Sequence, residues 1–113
     1  MSKYKSDEMI LSKSVCDALR MYGFFVFHPG NEGRRTIWEI AQWKANGGIA
    51  GVSDLIIVLR GEVVFVELKT AKGRQTPAQK TFQADVERMG HEYVIWSSLD
   101  DAIAFINKEK SKQ

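Results

Sequence analysis

The sequence predicts an α/β fold in which helices flank a mixed β-sheet. Apolar residues recur every three or four positions in several segments, as in amphipathic helices. Short runs rich in β-branched and aromatic residues lie between these segments, and glycine- or proline-containing turns separate them. The order of elements is αβ(α)ββαβα, which is typical of a mixed sheet covered by helices.

The first predicted helix covers residues 7–22, with Ser6 as its cap and Gly23 at its end. Its buried face is expected from residues spaced by three or four: Leu11, Val15, Leu19 and Tyr22. Residues 24–27 are expected to form a short strand. A turn follows at His28-Pro29-Gly30-Asn31, because proline and glycine interrupt regular structure.

The centre of the chain combines a second helix, a flexible glycine-rich loop and a β-hairpin. The helix is predicted over residues 35–45, and one side of it is formed by Ile37, Trp38, Ala41 and Ala45. The loop contains Gly47, Gly48 and Gly51. Residues 54–59 and 62–69 are the predicted strands of the hairpin, and Arg60-Gly61 is its tight turn.

The C-terminal part supplies two more helices and a strand. Thr76, Pro77 and Gln79 begin the third helix as cap, first helical residue and capping-box partner. Its inner face is formed by Phe82, Val86 and Met89, before Gly90 ends it. Residues 93–96 form a strand, and Ser98 caps a last helix that carries Leu99, Ala102, Ile103 and Ile106. Residues 108–113 are expected to fray.

Composition and length exclude several classes of protein. A chain of 113 residues fits one domain, here 1–113, and the lone Cys16 rules out an internal disulfide. Cys16 is expected to be a buried thiol in a reducing compartment. No apolar run approaches the roughly 20 residues of a membrane span, and the N-terminus lacks the apolar core of a signal peptide. We therefore expect a cytoplasmic protein without membrane contact.

The hairpin brings two acids and a lysine together. If its loop is Arg60 and Gly61, Leu59 faces Glu62 and paired positions sum to 121. Asp54 then lies opposite Glu67, with β-carbons about 4.5–5.5 Å apart. Lys69 projects from the same face as Glu67, roughly 7 Å along the strand. An otherwise apolar face of the sheet therefore ends in three charged side chains.

Two opposed carboxylates repel each other, and a divalent cation removes that repulsion. Mg²⁺ binds oxygen ligands and commonly uses only one or two protein carboxylates. It would polarise a phosphoryl oxygen and lower the pKa of a bound water, while Lys69 orients that water or stabilises charge on the phosphate. The residues alone leave a second interpretation open, in which the three side chains are a salt-bridge cluster.

The acid, the hairpin and the Glu-x-Lys motif followed by a helix resemble the PD-(D/E)XK nuclease superfamily. More narrowly, the chain is similar to the stand-alone VRR-NUC domains of phages and bacteria. The similar stretches are Glu8, residues 28–34 (HPGNEGR), 51–55 (GVSDL), 66–70 (VELKT) and 76–79 (TPAQ). They span nearly the whole chain. Ser53 stands where the superfamily pattern has proline, at a position that is not a ligand.

This resemblance implies a restriction-endonuclease-like fold and the roles of several residues. Asp54 and Glu67 would hold Mg²⁺, with Mn²⁺ as a substitute, and the backbone carbonyl of Leu68 would be a further ligand. Lys69 would be catalytic. Glu8 would be an additional acid at the metal, and Gln79 would border the active site.

Three of the candidate residues have ordinary structural explanations as well. Glu8 precedes Leu11 by three positions and so lies on the inward side of the first helix, but an acid in a first turn also complements the helix dipole. Gln79 is equally explained by its capping box with Thr76. His28 is expected to be a turn residue, with a position near the scissile phosphate as the alternative.

The formal net charge of +2 does not by itself indicate nucleic-acid binding. Once nuclease chemistry is accepted, basic residues in the loops and at helix starts become candidate phosphate contacts. They are Arg34, Arg35, Lys44, Lys72 and Arg74. Trp38 and Trp43 are candidates for stacking on exposed bases, although Trp38 is better explained as a core residue.

The leading hypothesis is a metal-dependent endonuclease, and the resemblance suggests branched DNA, such as four-way junctions, as its substrate. Symmetric cutting of a junction needs two active sites, so we expect a homodimer. An apolar patch available for pairing comprises Ile37, Trp38, Trp43, Ile49 and Val52. Two alternatives are a nuclease-like module that binds nucleic acid without cutting it, in a replication or recombination complex, and a structural domain with no nucleic-acid role.

Overall fold

The computed structural model describes residues 3–30, 36–70 and 73–112, with side chains from residue 7 onward. This part of the chain contains α1 Lys3–Met21, β1 Phe25–Phe27, α2 Ile37–Ala45, β2 Leu55–Leu59, β3 Glu62–Leu68, α3 Pro77–Arg88, β4 Glu92–Trp96 and α4 Leu99–Ser111. The predicted α/β class and the order of its elements are confirmed. None of the helices in these ranges has the length and apolar character needed to cross a membrane.

The four strands form one mixed sheet in the order β1-β2-β3-β4. β1 and β3 run antiparallel to β2, whereas β3 and β4 are parallel. Parallel neighbours need a crossover connection, and α3 provides it. The mixed sheet predicted from the sequence is therefore present, with the hairpin at its centre.

The hairpin of β2 and β3 has the register that the sequence predicts. Leu55 pairs with Val66 and Leu59 with Glu62, so paired positions sum to 121. Gly61 occupies the turn with φ +81°, a conformation that favours glycine. Extending this register by one residue beyond β2 places Asp54 opposite Glu67.

One face of the sheet packs against α1 and α4 and contains most of the core. Its buried residues come from both helices and from β1 to β4: Val15, Leu19, Val26, Leu55, Ile57, Val64, Val66, Leu68, Trp96, Ala102, Phe105 and Ile106. Cys16 packs beside this core and is half-buried rather than fully buried. Its partial burial raises the pKa of the thiol.

The opposite face of the sheet is covered by α3. Phe82 and Val86 of α3 and Tyr93 of β4 form a second buried cluster, and Phe65 of β3 packs against it. The rings of Phe65 and Phe82 meet edge-on, with centroids 5.4 Å apart. Glu67 belongs to this face, because it is two residues from Phe65 along β3. The candidate acids therefore lie where α3 begins.

Two helices extend beyond their predicted ends. α1 begins at Lys3, so Ser6 lies inside the helix and is not its cap. α4 continues to Ser111, so residues 108–111 are helical rather than frayed. Lys108 and Lys110 lie in the last turn of α4, where positive charge complements the helix dipole. Three apolar residues expected to be buried are exposed, because they lie at or beyond helix ends: Tyr22, Met89 and Leu99.

The second helix forms as predicted but is not part of the core. α2 has no buried residue, and Trp38, which we expected in the core, is 70 % exposed. A capping box begins this helix: Oγ1 of Thr36 accepts the N–H of Glu39, and Oε1 of Glu39 accepts the N–H of Thr36. The capping box therefore stabilises α2, which has no buried residue to do so. The Thr-x-x-Glu pattern that marks this capping box is present in the sequence.

Candidate active site

Asp54 ends the loop before β2, and its carboxylate is fixed across the hairpin. Oδ2 accepts a hydrogen bond of 2.8 Å from the backbone N–H of Leu68 on β3. The backbone carbonyl of Asp54 lies 2.6 Å from Nδ1 of His28. An acid in an irregular segment thus has both its side chain and its carbonyl tied to neighbouring segments. Leu68 meets Asp54 through its N–H group, and the metal-binding role of its carbonyl stays a prediction.

Glu67 is the buried acid of the site, with only 3 % of its surface exposed. Its Oε2 accepts a hydrogen bond of 3.1 Å from Nε2 of Gln79 and lies 3.8 Å from Nζ of Lys69. Its Oε1 is buried and finds no hydrogen-bond partner among the described residues. Buried polar atoms are almost always satisfied, so this oxygen is available to a proton shared with the Asp54 carboxyl or to a bound cation.

The electrostatic environment keeps the Glu67 carboxyl protonated at neutral pH. Burial is the largest cause, and a hydrogen bond to the Asp54 carboxyl and its charge add to it. The charge of Glu8 acts in the same direction, while Lys69 opposes it. Together they raise the pKa of Glu67 to about 9. Asp54 and Glu67 are therefore two acids that cannot both ionise easily unless a positive charge is added to that of Lys69.

Gln79 both caps α3 and contacts Glu67, and its role at an active site stays a prediction. Its Oε1 accepts the backbone N–H of Thr76 at 2.8 Å, and its own N–H donates to Oγ1 of Thr76, which completes the capping box of α3. The other end of the same amide, Nε2, donates to Glu67. The cap fixes the Gln79 side chain, and the fixed side chain in turn orients the Glu67 carboxyl.

Lys69 follows β3 directly and is mostly buried, with 16 % of its side chain exposed. Its backbone N–H donates to the carbonyl of Trp96 at 2.9 Å, which continues the pairing with β4. Gly73 lies against its side chain, and a Cβ there would be 3.1 Å from Cδ of Lys69. The ammonium group is thereby held beside Glu67. The contribution of Gly73 was not predicted, because a single glycine in a loop gives no indication of its neighbours.

Glu8 lies on α1, is half-buried and affects Glu67 through its charge, as the shift of the Glu67 pKa shows. Within the described ranges, no three acidic, histidine or cysteine side chains lie close enough together to hold a metal ion. Direct metal binding by Glu8 therefore stays a prediction. The described part of the site contains the two carboxyl groups of Asp54 and Glu67. A magnesium ion commonly uses only one or two protein carboxylates and completes its ligands with waters and phosphate oxygens.

A cleft of about 340 Å³ opens beside Asp54 and Gln79. Glu67 does not line it, and its lining is more polar than apolar. The cleft is lined by His28, Pro29, Trp43, Ile49, Gly51, Val52, Ser53, Asp54, Thr76, Ala78 and Gln79. It therefore connects the end of β1, the loop after α2 and the start of α3.

The glycine-rich loop that borders this cleft packs closely rather than behaving as the flexible connection we expected. Gly51 has φ +82°, and a Cβ at this position would overlap the carbonyl of Ala78 and the backbone nitrogen of Gln79. Only glycine allows this approach. Gly51 thus seats the first turn of α3, with Gln79, against the segment that carries Asp54. The sequence pattern showed a glycine but not the backbone it meets.

Comparison with known proteins shows a likeness of fold. No protein-family model and no curated protein matches the chain. Among solved structures, a "VRR_NUC domain protein" is similar with a TM-score of 0.74 and 23 % identity, over 90 % of this chain and 86 % of that one. A second structure, "VRR_NUC domain", has a TM-score of 0.64 and 21 % identity, over 89 % and 95 %.

The chain has a VRR-NUC fold. This is a nuclease-like fold, and it confirms the fold that the resemblance in the sequence implied. At 21–23 % identity the likeness concerns the fold alone. The assignment of individual residues therefore rests on the contacts in this chain.

The basic residues predicted to contact phosphate are only partly described in this VRR-NUC fold. Lys44, in the last turn of α2, and Arg74, before α3, are exposed. Arg34, Arg35 and Lys72 lie outside the described residues, as do Asn31 and Glu32 of the turn after β1. Lys44 and Arg74 follow or precede segments that line the cleft, so both are available near it.

Proposed function

We propose that this protein is a magnesium-dependent DNA endonuclease that cuts branched DNA, such as four-way junctions. The observation that carries the proposal is the pair of acids, Asp54 and the buried Glu67, beside Lys69. Each acid makes the other harder to ionise, and the charge of Lys69 does not offset this effect on the pKa of Glu67. A divalent cation would supply the missing positive charge.

The donor set fits a hard divalent cation. Asp54 and Glu67 would hold Mg²⁺ or Mn²⁺, with the Leu68 carbonyl and Glu8 as further ligands, because oxygen donors suit these ions. When bound there, the ion would supply Lewis-acid polarisation of a phosphate oxygen.

The protein's own groups prepare the rest of the site. Gln79 fixes the orientation of Glu67, and His28 holds the backbone of Asp54. Lys69 places a positive charge beside the acids, where it orients the attacking water or stabilises charge that grows on the phosphate.

Branched DNA is favoured over a specific base sequence because this small chain offers few loops for reading bases. Phosphate contacts from Arg34, Arg35, Lys44, Lys72 and Arg74 would bind the backbone of any sequence. Two active sites are needed to cut both strands of a junction, so we propose a homodimer. The proposed setting is the cytoplasm of a bacterial or phage-infected cell, where such DNA arises.

The proposal is tested by incubating the protein with linear, flapped and four-way DNA, with Mg²⁺ or with a chelator. We expect the wild-type protein to cleave the branched DNA in Mg²⁺ but not in the chelator. Asp54→Asn should not cleave it in either condition. Lys69→Ala should slow cleavage about 100-fold or more while DNA binding persists, because a group that stabilises the transition state is lost. Lys108→Ala, on the opposite side of the sheet, is the matched control.

Three outcomes would contradict the proposal in different ways. DNA binding without cleavage by the wild-type protein would favour the non-cleaving module instead. Cleavage at the wild-type rate by Lys69→Ala would remove the lysine from the mechanism. Efficient cutting of one linear sequence, but not of its scrambled versions, would replace shape recognition by sequence recognition.

A further inference from the structure

The segment between β3 and α3 carries Lys69, although its described residues, 69–70 and 73–76, belong to no helix or strand. The proposed chemistry needs the ammonium group of Lys69 beside Glu67, where its Nζ lies 3.8 Å from Oε2. A catalytic group on an irregular segment keeps such a position only if other contacts hold the backbone around it. The contacts that hold this segment therefore bear on the reaction.

Gly73 is a part of this segment that touches the lysine. Its backbone N–H donates to the carbonyl of Thr70 at 2.8 Å, which ties Gly73 back to the residue after Lys69. A Cβ at Gly73 would lie 3.1 Å from Cδ and 3.5 Å from Cβ of Lys69. The backbone of Gly73 therefore lies along the aliphatic stem of the lysine and limits its movement on this side. A contact that holds Gly73 in place also holds Lys69.

Gln75, two residues further on, turns its side chain into the protein. It is half-buried, whereas its neighbours Arg74 and Thr76 are exposed. Its Nε2 donates to Oε1 of Gln83 at 2.7 Å and to the hydroxyl oxygen of Tyr93 at 3.3 Å. A side-chain amide has two N–H donors, so one glutamine can make both hydrogen bonds at once. The segment is thus anchored by a side chain close to Gly73.

Both acceptors of this anchor belong to regular elements. Gln83 is on α3, and its own Nε2 donates to Oε2 of Glu87 at 3.3 Å, so its Oε1 is the end that meets Gln75. Tyr93 is on β4 and is 6 % exposed, and its ring meets that of Phe82 edge-on with centroids 6.3 Å apart. Gln75 therefore ties an irregular segment to a helix and a strand that pack together in the second buried cluster.

We propose that Gln75 is a positioning residue that keeps the ammonium group of Lys69 beside Glu67. It acts through the backbone of Gly73, which the two hydrogen bonds of the Gln75 side chain hold against the lysine stem. The consequence for catalysis rests on the proposed nuclease function. A merely structural pair of hydrogen bonds would contribute to stability without affecting the lysine, so the test follows Lys69 itself.

The first measurement is the rate at which acetic anhydride labels Lys69 in the metal-free protein, read by mass spectrometry. Gln75→Met removes both donors and keeps the length of the side chain, so Lys69 should be labelled faster than in the wild-type protein. Labelling of the exposed Lys108 should not change. Thr81→Val is the matched control, because it removes a side-chain hydrogen bond to Pro77 on the exposed side of α3, and it should leave Lys69 as slow as in wild type.

A second variant tests the same anchor from its other end. Tyr93→Phe keeps the buried ring and removes one of the two acceptors, so it should speed the labelling of Lys69 less than Gln75→Met does. Thermal unfolding verifies that each variant is folded, and Tyr93→Phe decides the question if Gln75→Met is not. Equal labelling of Lys69 in the wild-type protein and in the folded variants would overturn the proposal.

Cleavage of branched DNA in Mg²⁺ then measures the consequence for the reaction. Gln75→Met should lower the rate about tenfold, because a small misplacement of a catalytic group is costly. In a Lys69→Ala background the same substitution should cost nothing further, since both changes act through the lysine. A loss that persists in that background would overturn the proposal. Faster labelling of Lys69, combined with no cleavage by the wild-type protein, would support the anchor and defeat the nuclease assignment.

Discussion

A carboxylate that is 3 % exposed and faces a second acid is unfavourable as an anion unless a positive charge joins it. Glu67 is in this position, and Lys69 at 3.8 Å does not remove the effect. Its carboxyl therefore binds a proton in the metal-free protein at neutral pH. A bound cation would take the place of that proton.

The raised pKa of Glu67 predicts how the stability of the metal-free protein depends on pH. The pKa is about 9 in the folded chain and 4.5 in the unfolded chain. Between these values the folded state binds a proton that the unfolded state has lost, so this group lowers stability as pH rises through the window. Below about pH 4.5 both states are protonated, and above about pH 9 both are ionised. Urea unfolding between pH 5 and 9, in a chelator, measures this slope.

Replacing the acid isolates its contribution to the pH dependence. Glu67→Gln should flatten the slope, because the amide does not titrate. Glu62→Gln, which removes an acid at the opposite end of the same strand, is the matched control. If Glu67→Gln and the wild-type protein lose stability in parallel, the buried carboxyl is not the source of the effect.

Individual residues show how far the sequence could predict the site. The pairing of Asp54 with Glu67, and the side of Lys69, followed from the two-residue turn and the alternation of side chains along a strand. The capping box and the position at the site were both predicted for Gln79, as alternatives. That they occur together could not be predicted, because it depends on the distance from α3 to β3, which no local pattern encodes. The contact between His28 and Asp54 could not be predicted for the same reason, because 26 positions separate the two residues.

At the scale of elements, local signals predicted those parts of the fold that depend on local chemistry. The hairpin and the start of α3 were predicted correctly, because turn residues and capping boxes act within a few positions. The burial of Trp38 on α2 was predicted wrongly. Its apolar residues recur at helical spacing, but spacing shows only which residues share a side and not whether anything packs on it.

The contact between the glycine-rich loop and α3 leads to a prediction. Gly51→Ala should destabilise the fold by about 1–3 kcal/mol, since a Cβ would overlap the backbone of Ala78 at a positive φ. It should also slow cleavage, because Gln79 would move away from Glu67. Gly47→Ala is the matched control: Gly47 has φ +98° but nothing within 4 Å of a Cβ. Chemical denaturation and cleavage rates compare the two.

Comparing the substitutions at these two glycines separates the strain of a positive φ from the overlap of a Cβ with neighbouring atoms. Both substitutions place alanine in a conformation that L-residues rarely adopt, but only the one at Gly51 creates an overlap. Equal losses of stability and activity would mean that the approach of the loop to α3 is not important for the site.

At the scale of the whole molecule, the structure revises the surface available for pairing two copies. Trp43 is half-buried in the cleft, and Val52 packs against the second buried cluster, so these two are poor candidates for an interface. Ile37, Trp38 and Ile49 remain, with 89 %, 70 % and 58 % of their surface exposed. Which helix faces solvent depends on the whole fold, and the sequence could not predict it.

We predict that the protein dimerises in solution through the exposed side of α2. Ile37→Asp should shift the dimer towards monomer, because a charge would be placed in an apolar contact. Ile10→Asp, at an exposed isoleucine of α1, is the matched control. Light scattering at micromolar concentration measures the mass of each protein. A monomer that still cuts both strands of a four-way junction in one binding event would contradict the two-site argument.

The central claim is that Asp54 and Glu67 form a divalent-cation site, and thermal unfolding during a Mn²⁺ titration tests it most directly. The ion should stabilise the wild-type protein by roughly 2.7 kcal/mol at 100 times its dissociation constant. Asp54→Asn should gain little from Mn²⁺, because one of the two acids of the site is lost. An unchanged unfolding temperature of the wild-type protein at saturating Mn²⁺, or an equal rise in both proteins, would contradict the claim.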